Sequence, residues 1–391
     1  MTTQTLRFLM GGQVRELCNV DPTMTVLQYL RNNAGRCGTK EGCAEGDCGA
    51  CSVVIAEVTG ETKLSYRAVN ACIQFLPTLH GKQLITVEDL KDGSRADSSV
   101  DELHPVQQAM GECHGSQCGF CTPGFVMSLF AMFHDETAGP GRSGINDSLA
   151  GNLCRCTGYG PIVRAAQTMR DYGSADQFDA RSADTVATLQ ELADGKTLAL
   201  SYQGRHYFAP NTLDELAELV AAYPDACILA GGTDVGLWVT KQHHVLETVI
   251  YTGDVAELHE IRETPDSIEI GAAVTYSEVH KVLAAAYPDA GELIRRLGSL
   301  QIRNSGTLGG NIANASPIGD SMPLLLAAGA SLVLRRGSER RRLPLADFFH
   351  AYRETDLKPG EFLERIILPR RNPVAKLRCY KISKRFDQDI S

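Results

Sequence analysis

The sequence has no excess of positive charge. Lys and Arg number 38 against 47 Asp and Glu, a formal net charge of −9. That gives no reason to expect nucleic acid or an anionic membrane as a partner. No apolar run approaches the length of a membrane span. The start, Met1-Thr-Thr-Gln-Thr-Leu-Arg-Phe-Leu9, lacks a basic region followed by a long apolar core, so no signal peptide is evident and a cytoplasmic location is expected. There is no internal repeat and no low-complexity tract. No Ser–His–Asp set and no paired carboxylates stand out. The ten histidines are scattered, and His243-His244 reads as a surface pair. What is left is an ordinary globular composition, 43% hydrophobic and 22% charged, in 391 residues, enough for two or three domains. Cysteine is the exception: there are thirteen. In a reducing compartment, clustered cysteines read better as metal ligands than as disulfides.

The most informative stretch is Cys43-Ala-Glu-Gly-Asp-Cys48-Gly-Ala-Cys51, with gaps of four residues and then two. This is the spacing of the plant-type [2Fe–2S] loop, whose fourth thiolate comes from further along the chain. Gly38, Gly42, Gly46 and Gly49 surround the cysteines. A loop that wraps a cluster needs positive φ angles and close approach to sulfur, and its N–H groups form a nest for an anionic centre. Cys72 is the natural fourth ligand. Cys37 lies nearby but outside the spacing. A structural zinc site is the bland alternative, but zinc ribbons use paired Cys-x-x-Cys knuckles, and here one half is a triplet.

Around this loop the chain reads as strands and one helix. Thr5 to Leu9 and Val14 to Cys18 form a hairpin through Gly11-Gly12. Thr25 caps a helix carrying Val26, Leu27 and Leu30, closed by Gly35. Ser52 to Val58 and Leu84 to Val87 are strands. Together they suggest a β-grasp ferredoxin-like unit over 1–90. Residues 91–170 turn helical: Pro105 suits a first turn, Thr122-Pro123 opens a helix burying Phe125, Leu129, Met132 and Phe133, and Pro161 opens another. Cys118-Gly-Phe-Cys121 and Cys154-Arg-Cys156 lie at the ends of these helices, which makes a second metal site of four thiols, with zinc a fairer rival here. Helix dipoles are expected to stabilise thiolates at Cys121 and Cys156. Cys113 is rated structural, and Cys18, Cys227 and Cys379 are expected to be buried small apolar residues.

Residues 171–195 are polar and read as a linker. From 196 the chain alternates strand and helix signals. Cys227 to Ala230 is a short strand running into Gly231-Gly232-Thr233-Asp234, and a second glycine loop spans Thr307-Leu308-Gly309-Gly310-Asn311. A dinucleotide needs phosphate donors from more than one loop, and the pair supplies them. Asp320 is a candidate acceptor for a ribose hydroxyl. The literal G-x-G-x-x-G at Gly139 to Gly144 follows a helix, carries a proline and is read as a false positive.

Three motif groups carry a family resemblance. Glu41 to Cys51, Gln117-Cys118-Gly-Phe-Cys121-Thr-Pro-Gly124 and Asn152-Leu-Cys154-Arg-Cys156-Thr-Gly-Tyr159 resemble the two-cluster region of molybdenum hydroxylases. Ile228-Leu229-Ala230-Gly231-Gly232-Thr233-Asp234-Val235, Thr307 to Asn311 and Ser316-Pro-Ile-Gly-Asp320 resemble the flavin domain of the same enzymes. In domain order, and in the ending from Tyr380, the chain is similar to the small subunit of bacterial xanthine dehydrogenases. The resemblance implies a multidomain α+β fold. It would comprise a β-grasp plant-type ferredoxin domain, a four-helix [2Fe–2S]-binding domain, and an α+β FAD-binding domain of the vanillyl-alcohol-oxidase/PCMH type over 196–371. Residues 372–391 would start a C-terminal flavoprotein domain, apparently truncated. It implies that Cys43, Cys48, Cys51 and Cys72 hold the cluster nearer the flavin, and Cys118, Cys121, Cys154 and Cys156 the one nearer molybdenum. Residues 228–235 and 307–311 would bind the FAD pyrophosphate, with Leu297, Asp320, Leu363 and Lys381 approaching the flavin. The expected activity is electron transfer. Electrons from purine hydroxylation at a molybdenum cofactor on a large partner subunit, in a heterotetramer of two small and two large subunits, would pass through both [2Fe–2S] clusters to FAD and on to NAD. The alternatives are the same role for an aldehyde, carbon monoxide or an N-heterocycle, or a non-catalytic assembly module.

Overall fold

The computed structural model describes residues 2–91, 103–135, 141–370 and 376–384. Its first unit holds β1 (Thr2–Thr3), β2 (Leu6–Met10), β3 (Gln13–Leu17), α1 (Val26–Gln28), β4 (Ser52–Thr59), β5 (Lys63–Asn70) and β6 (Gln83–Ile85). Gly11 and Gly12 both have positive φ, 60° and 71°, which suits the twist of a two-residue hairpin between β2 and β3. β2 pairs parallel with β6, and β4 pairs antiparallel with both β6 and β5, giving the order β3-β2-β6-β4-β5. Thr25 caps α1 in a capping box with Gln28, and the helix runs on through a π turn, Tyr29–Asn33, before Gly35. Val26, Leu27 and Leu30 bury against Leu6 and Phe8 of the sheet. This is the expected β-grasp.

Four helices follow: α2 (Pro105–Glu112), α3 (Thr122–His134), α4 (Arg142–Leu149) and α5 (Gly160–Thr168). Phe125, Leu129 and Phe130 of α3 pack with Met110, Ile145 and Ile162 and against Val54 and Ala68 of the first sheet. Thr122 is the first residue inside α3, and Cys121 takes the cap position. Gly141 is the cap of α4, so that end of the literal glycine motif is a helix start; Gly139 lies outside the described residues.

The span read as a linker carries two helices, α6 (Gln177–Ala180) and α7 (Ser182–Leu192). α7 buries a narrow stripe, Val186, Leu189 and Leu192; the last two pack on Leu9 with Val58 and Leu64 alongside. One stripe of three apolar residues is all that a helix laid on a sheet needs, which is why its composition looks like a linker's.

The third region is built from β7 (Thr197–Tyr202), β8 (Arg205–Ala209), α8 (Leu213–Ala222), β9 (Cys227–Leu229), α9 (Val235–Thr240), β10 (Thr248–Tyr251), β11 (Ile261–Glu263), β12 (Ser267–Gly271), α10 (Tyr276–Ala286), α11 (Pro288–Arg295), α12 (Leu300–Ser305), α13 (Leu308–Asn314), α14 (Ser321–Ala327), β13 (Ser331–Arg336), β14 (Glu339–Pro344), a small hairpin of β15 (Phe349–Ala351) and β16 (Glu354–Thr355), and β17 (Phe362–Pro369). Two sheets form. One is mixed, in the order β1-β7-β8-β10-β9, and takes its edge strand from the start of the chain. The other is antiparallel, β11-β12-β17-β13-β14. The first sheet's apolar face, with Leu198, Leu200, Tyr207 and Val249, joins Phe8, Leu27 and Phe75 of the ferredoxin-like unit in one core.

Candidate functional site

The glycine-rich cysteine loop has the backbone its sequence demands: Ala44, Gly46 and Gly49 have φ of 55°, 80° and 68°. Cys43 Sγ accepts the N–H groups of Asp47 and Cys48 at 3.4 and 3.3 Å. The Cys48 thiol donates to Cys43, and together with these amides this outweighs burial and pulls Cys43 down to about 5. The same contact, with burial, pushes Cys48 up. Cys72 is pushed up by its hydrogen bond to Cys51 and by burial. Four thiols thus converge as two close pairs: Cys43 with Cys48, half-buried, and Cys51 with Cys72, inside the core shared by the first and third regions. Cys37 is exposed.

The second group converges as Cys121 with Cys154 and Cys118 with Cys156. Burial, then the neighbouring Cys154, pushes Cys121 up to about 12. The dipole of α3 therefore does not make Cys121 a ready thiolate, contrary to the sequence reading: desolvation outweighs it. Cys154 is lowered, because hydrogen bonds from Thr157 overcome burial. Of the cysteines expected to be buried, Cys18 is exposed and Cys227 and Cys379 are half-buried; all thirteen are free. Each group is all sulfur, without histidine, and each thiol has a close partner. That donor set suits an iron–sulfur cluster, and binding would release the shared protons.

The two groups touch. Leu153 N–H donates to Cys48 O at 3.0 Å. A Cβ at Gly124 would stand 2.1 Å from Gly49 O, and one at Gly49 would stand 2.1 Å from Gly151 O, so three backbones meet where no side chain fits. Asn152 Nδ2 donates to Gly49 O at 3.1 Å, and Ser128 Oγ to Asn152 Oδ1 at 2.7 Å. Into this junction the third region sends Gln301, whose Nε2 lies 3.1 Å from each of Ser52 Oγ, Ser128 Oγ and Asn152 Oδ1. Sequence reasoning missed Gln301. On its own, Gln301-Ile-Arg-Asn304 reads as a solvated polar turn. In the fold Gln301, Arg303 and Asn304 are all buried.

The two glycine loops predicted to serve one nucleotide lie edge to edge. A Cβ at Gly231 would be 1.8 Å from Ser305 O, and one at Gly310 would be 3.5 Å from Ala230 Cβ. Thr307 caps α13 by accepting Gly310 N–H at 2.9 Å, and a Cβ at Gly309 would strike Ala272 O at 2.5 Å. Leu229 and Leu308 are core residues, while Ile228 is exposed. Asp234 accepts from Trp238 Nε1 at 2.9 Å, which anchors α9. Backbone held this close, with few side chains in the way, fits a group that binds through main-chain amides, as a pyrophosphate does. Leu297 and Leu363 border the same core. Asp320, read as a ribose acceptor, takes Lys381 Nζ in a nearly buried ion pair, with side chains 9% and 3% exposed. Arg296 holds the same segment through Lys381 O at 3.4 Å.

The 231–234 loop and α9 are seated on the first thiol group. A Cβ at the buried Gly236 would lie 2.7 Å from Ile73 O, and Ile73 follows Cys72 directly. Thr240 Oγ1 donates to Ala44 O at 2.9 Å, and Val235, Leu237 and Ile302 pack in the core that holds Cys51 and Cys72.

One further polar cluster escaped the sequence reading. His104 Nε2 and His134 Nε2 reach Asp176 Oδ2 at 2.6 and 2.9 Å, and the three groups lie close enough to frame a metal. Val106 N–H, however, points at His104 Nδ1 at 3.2 Å, so the proton sits on Nε2 and is donated to Asp176. The cluster is a hydrogen-bonded latch that ties α6 to α2 and α3.

Three family models match. Residues 10–75 match a 2Fe-2S iron-sulfur cluster binding domain, residues 86–167 a [2Fe-2S] binding domain, and residues 200–371 the FAD binding domain in molybdopterin dehydrogenase. Xanthine dehydrogenase of Drosophila subobscura is 34% identical over all of this chain and 32% of its own length. Xanthine dehydrogenase/oxidase of Mus musculus is 32% identical over the same shares. The chain thus spans about a third of these relatives, at 32%. A carbon monoxide dehydrogenase from Hydrogenophaga pseudoflava is similar at 27% identity and a TM-score of 0.45, over 47% of this chain and 65% of that one. Among the described residues no helix is long and apolar enough to cross a membrane. The chain belongs to the molybdenum hydroxylase family and carries its two [2Fe–2S]-binding domains and its FAD-binding domain, a series of centres for electron transfer.

Proposed function

We propose that the chain is the electron-transfer part of a xanthine dehydrogenase, joined to a large subunit whose molybdenum cofactor hydroxylates hypoxanthine or xanthine. The observation that carries this reading is the order of the sites: Gly236 of the flavin loop rests on Ile73, beside Cys72, while Cys118 and Cys156 face outward. Cys43, Cys48, Cys51 and Cys72 hold the cluster next to the flavin. Cys118, Cys121, Cys154 and Cys156 hold the outer one. Residues 228–235 and 307–311 bind the FAD pyrophosphate, with Leu297, Asp320, Leu363 and Lys381 near the flavin. When bound, the clusters supply one-electron steps and FAD the exchange of a hydride with NAD. The protein's own share is spacing and insulation. Leu153 and Asn152 hold the outer loop on Cys48 and Gly49, and Ile73 bridges to the flavin loop.

The large subunit covers the outer group. Phe120, Leu153 and Tyr159, 48%, 46% and 39% exposed, ring Cys118 and Cys156 there. Large apolar residues gathered at one place mark an interface. The family's two-plus-two heterotetramer and a cytoplasmic, thiol-sparing location complete the reading, supported by similarity to xanthine dehydrogenases along all of this chain and 32% of their length.

The test is iron, sulfide and flavin analysis of the purified protein, followed by anaerobic titration with NADH. About four irons and four sulfides, one flavin, and bleaching by NADH are expected. A colourless zinc protein sinks the electron-transfer role. Bound flavin that NADH leaves oxidised sinks the NAD assignment alone.

A further inference from the structure

The two thiol groups differ in what hydrogen-bonds their sulfurs. Cys43 Sγ receives the backbone N–H groups of Asp47 and Cys48, and the Cys48 thiol for as long as that thiol keeps its proton. Cys154 Sγ receives the Thr157 N–H at 3.5 Å and also has a side-chain hydroxyl beside it, Thr157 Oγ1 at 3.2 Å. Thr157 Oγ1 also accepts the Tyr159 N–H at 3.1 Å. A thiolate bound to iron has no proton to offer, so with Cys154 as a cluster ligand the Thr157 hydroxyl is the donor.

The backbone is bent to keep this arrangement. Tyr159 has φ of 65°, the left-handed region, which a bulky residue adopts only when its surroundings impose it. Its phenol oxygen accepts the Cys154 N–H at 2.9 Å. Cys154, Thr157 and Tyr159 therefore close a ring of hydrogen bonds: amide to phenol, amide to hydroxyl, hydroxyl to sulfur. Gly158, with φ of 65°, supplies the preceding left-handed residue.

We propose that Thr157 is a redox-tuning residue of the outer cluster: its hydroxyl, aimed by the left-handed Tyr159, donates to the Cys154 sulfur and raises that cluster's reduction potential. The inference rests on the assignment of Cys154 as a cluster ligand. The physical reason is charge. A reduced cluster carries one more negative charge than an oxidised one, so a donor on its sulfur stabilises the reduced form more. In the first group the sulfur donors described are main-chain amides, which no side-chain change removes. Here one donor is a hydroxyl, so its contribution can be deleted by itself. A higher potential at the outer cluster favours its accepting an electron from the partner.

The experiment is a potentiometric titration of the complex, followed by low-temperature electron paramagnetic resonance, in wild type, Thr157→Val and Thr157→Ser. Valine keeps the shape and removes the hydroxyl; serine keeps the hydroxyl. In Thr157→Val the outer cluster should become about tenfold harder to reduce relative to the first, a downward shift of about 59 mV for one electron. The first cluster should not move, and Thr157→Ser should titrate like wild type. An unchanged outer potential in Thr157→Val, with full iron content, overturns the proposal and leaves the ligand assignment standing. Equal downward shifts in the valine and serine variants, or equal loss of iron, also overturn it, because the hydroxyl would then not be the cause. A wild-type protein with a single cluster signal overturns the ligand assignment beneath it.

Discussion

The two thiol groups are made of the same atoms and sit in opposite surroundings. Cys51 and Cys72 are 2% and 3% exposed and belong to a core that also contains strands of the third region. Cys118 and Cys156 are exposed among apolar side chains. The inner group thus reaches into the fold's interior through Cys51 and Cys72, while the outer group, with Cys154 buried beneath it, opens to the surface at Cys118 and Cys156. On the proposed function the contrast gives each a job: one would hand electrons on within the chain, the other would take them from outside. It also means that damage at one site should spread through the molecule, while damage at the other should stay local.

The strongest way to break this comparison is to remove one ligand from each group. Cys72→Ser should drop iron from about four to about two per chain and lower the thermal unfolding midpoint, because the residue lies in the shared core. Cys156→Ser should lose the same iron and leave the midpoint nearly unmoved. Iron analysis with calorimetry checks both, and equal destabilisation would refute the contrast. Next in size is accessibility. Under a hydrophilic iron chelator, the isolated chain should lose the outer cluster's resonance first and keep the inner one; simultaneous loss would show that the exposed thiols are no more open than the buried ones.

A smaller effect tests the junction between them. Gln301→Leu deletes a donor group facing three acceptors, Ser52, Ser128 and Asn152. Leaving buried acceptors short costs on the order of 1–3 kcal/mol. The variant should unfold a few degrees lower and release the flavin domain faster under limited proteolysis, with both clusters retained. Unchanged proteolysis would remove Gln301 from the interdomain contacts.

The smallest effect concerns the charges that join the first sheet to the flavin region. Burial tends to raise Glu57, but Arg67 and Lys82 overcome it and hold it at about 2, against a usual value near 4.5. Arg67 also donates to Asn304 O at 2.6 Å, and Lys82 pairs with Asp254 at 3.2 Å. A carboxylate with a lowered folded-state pKa adds stability above its unfolded pKa and loses it as pH falls through the folded one. With the side chain 24% exposed, screening leaves on the order of 2 kcal/mol. Glu57→Gln should therefore be less stable than wild type at pH 7, and the gap should close between about pH 4.5 and 2. Parallel acid-unfolding curves for the two proteins would argue against it.

Much of this was legible before any coordinates. The Cys43 to Cys51 spacing, the Thr25 cap, the Pro105 and Pro161 helix starts and the paired glycine loops each express a local rule of backbone or ligand geometry, and local rules are written in consecutive residues. Other features were not legible because they depend on distant partners. The polar stretch 171–195 packs as α7 only because Leu9, Val58 and Leu64 receive its stripe. The helix dipole at Cys121 predicted a lowered thiol, but burial decided otherwise. Asp320 was read as a candidate ribose acceptor, and its ion pair with Lys381, 61 residues away, could not be read from spacing.

By itself the sequence determined the candidate binding atoms: eight cysteines in two spaced sets and two glycine-rich loops, since ligand chemistry and positive φ angles are properties of residue type and near neighbours. Only the tertiary structure decided their order. Which thiol group lies against the 231–234 loop and which faces outward follows from Gly236 resting on Ile73 and from Gln301 entering between Ser52 and Asn152. Those contacts join residues far apart in the chain, and packing, not spacing, brings them together.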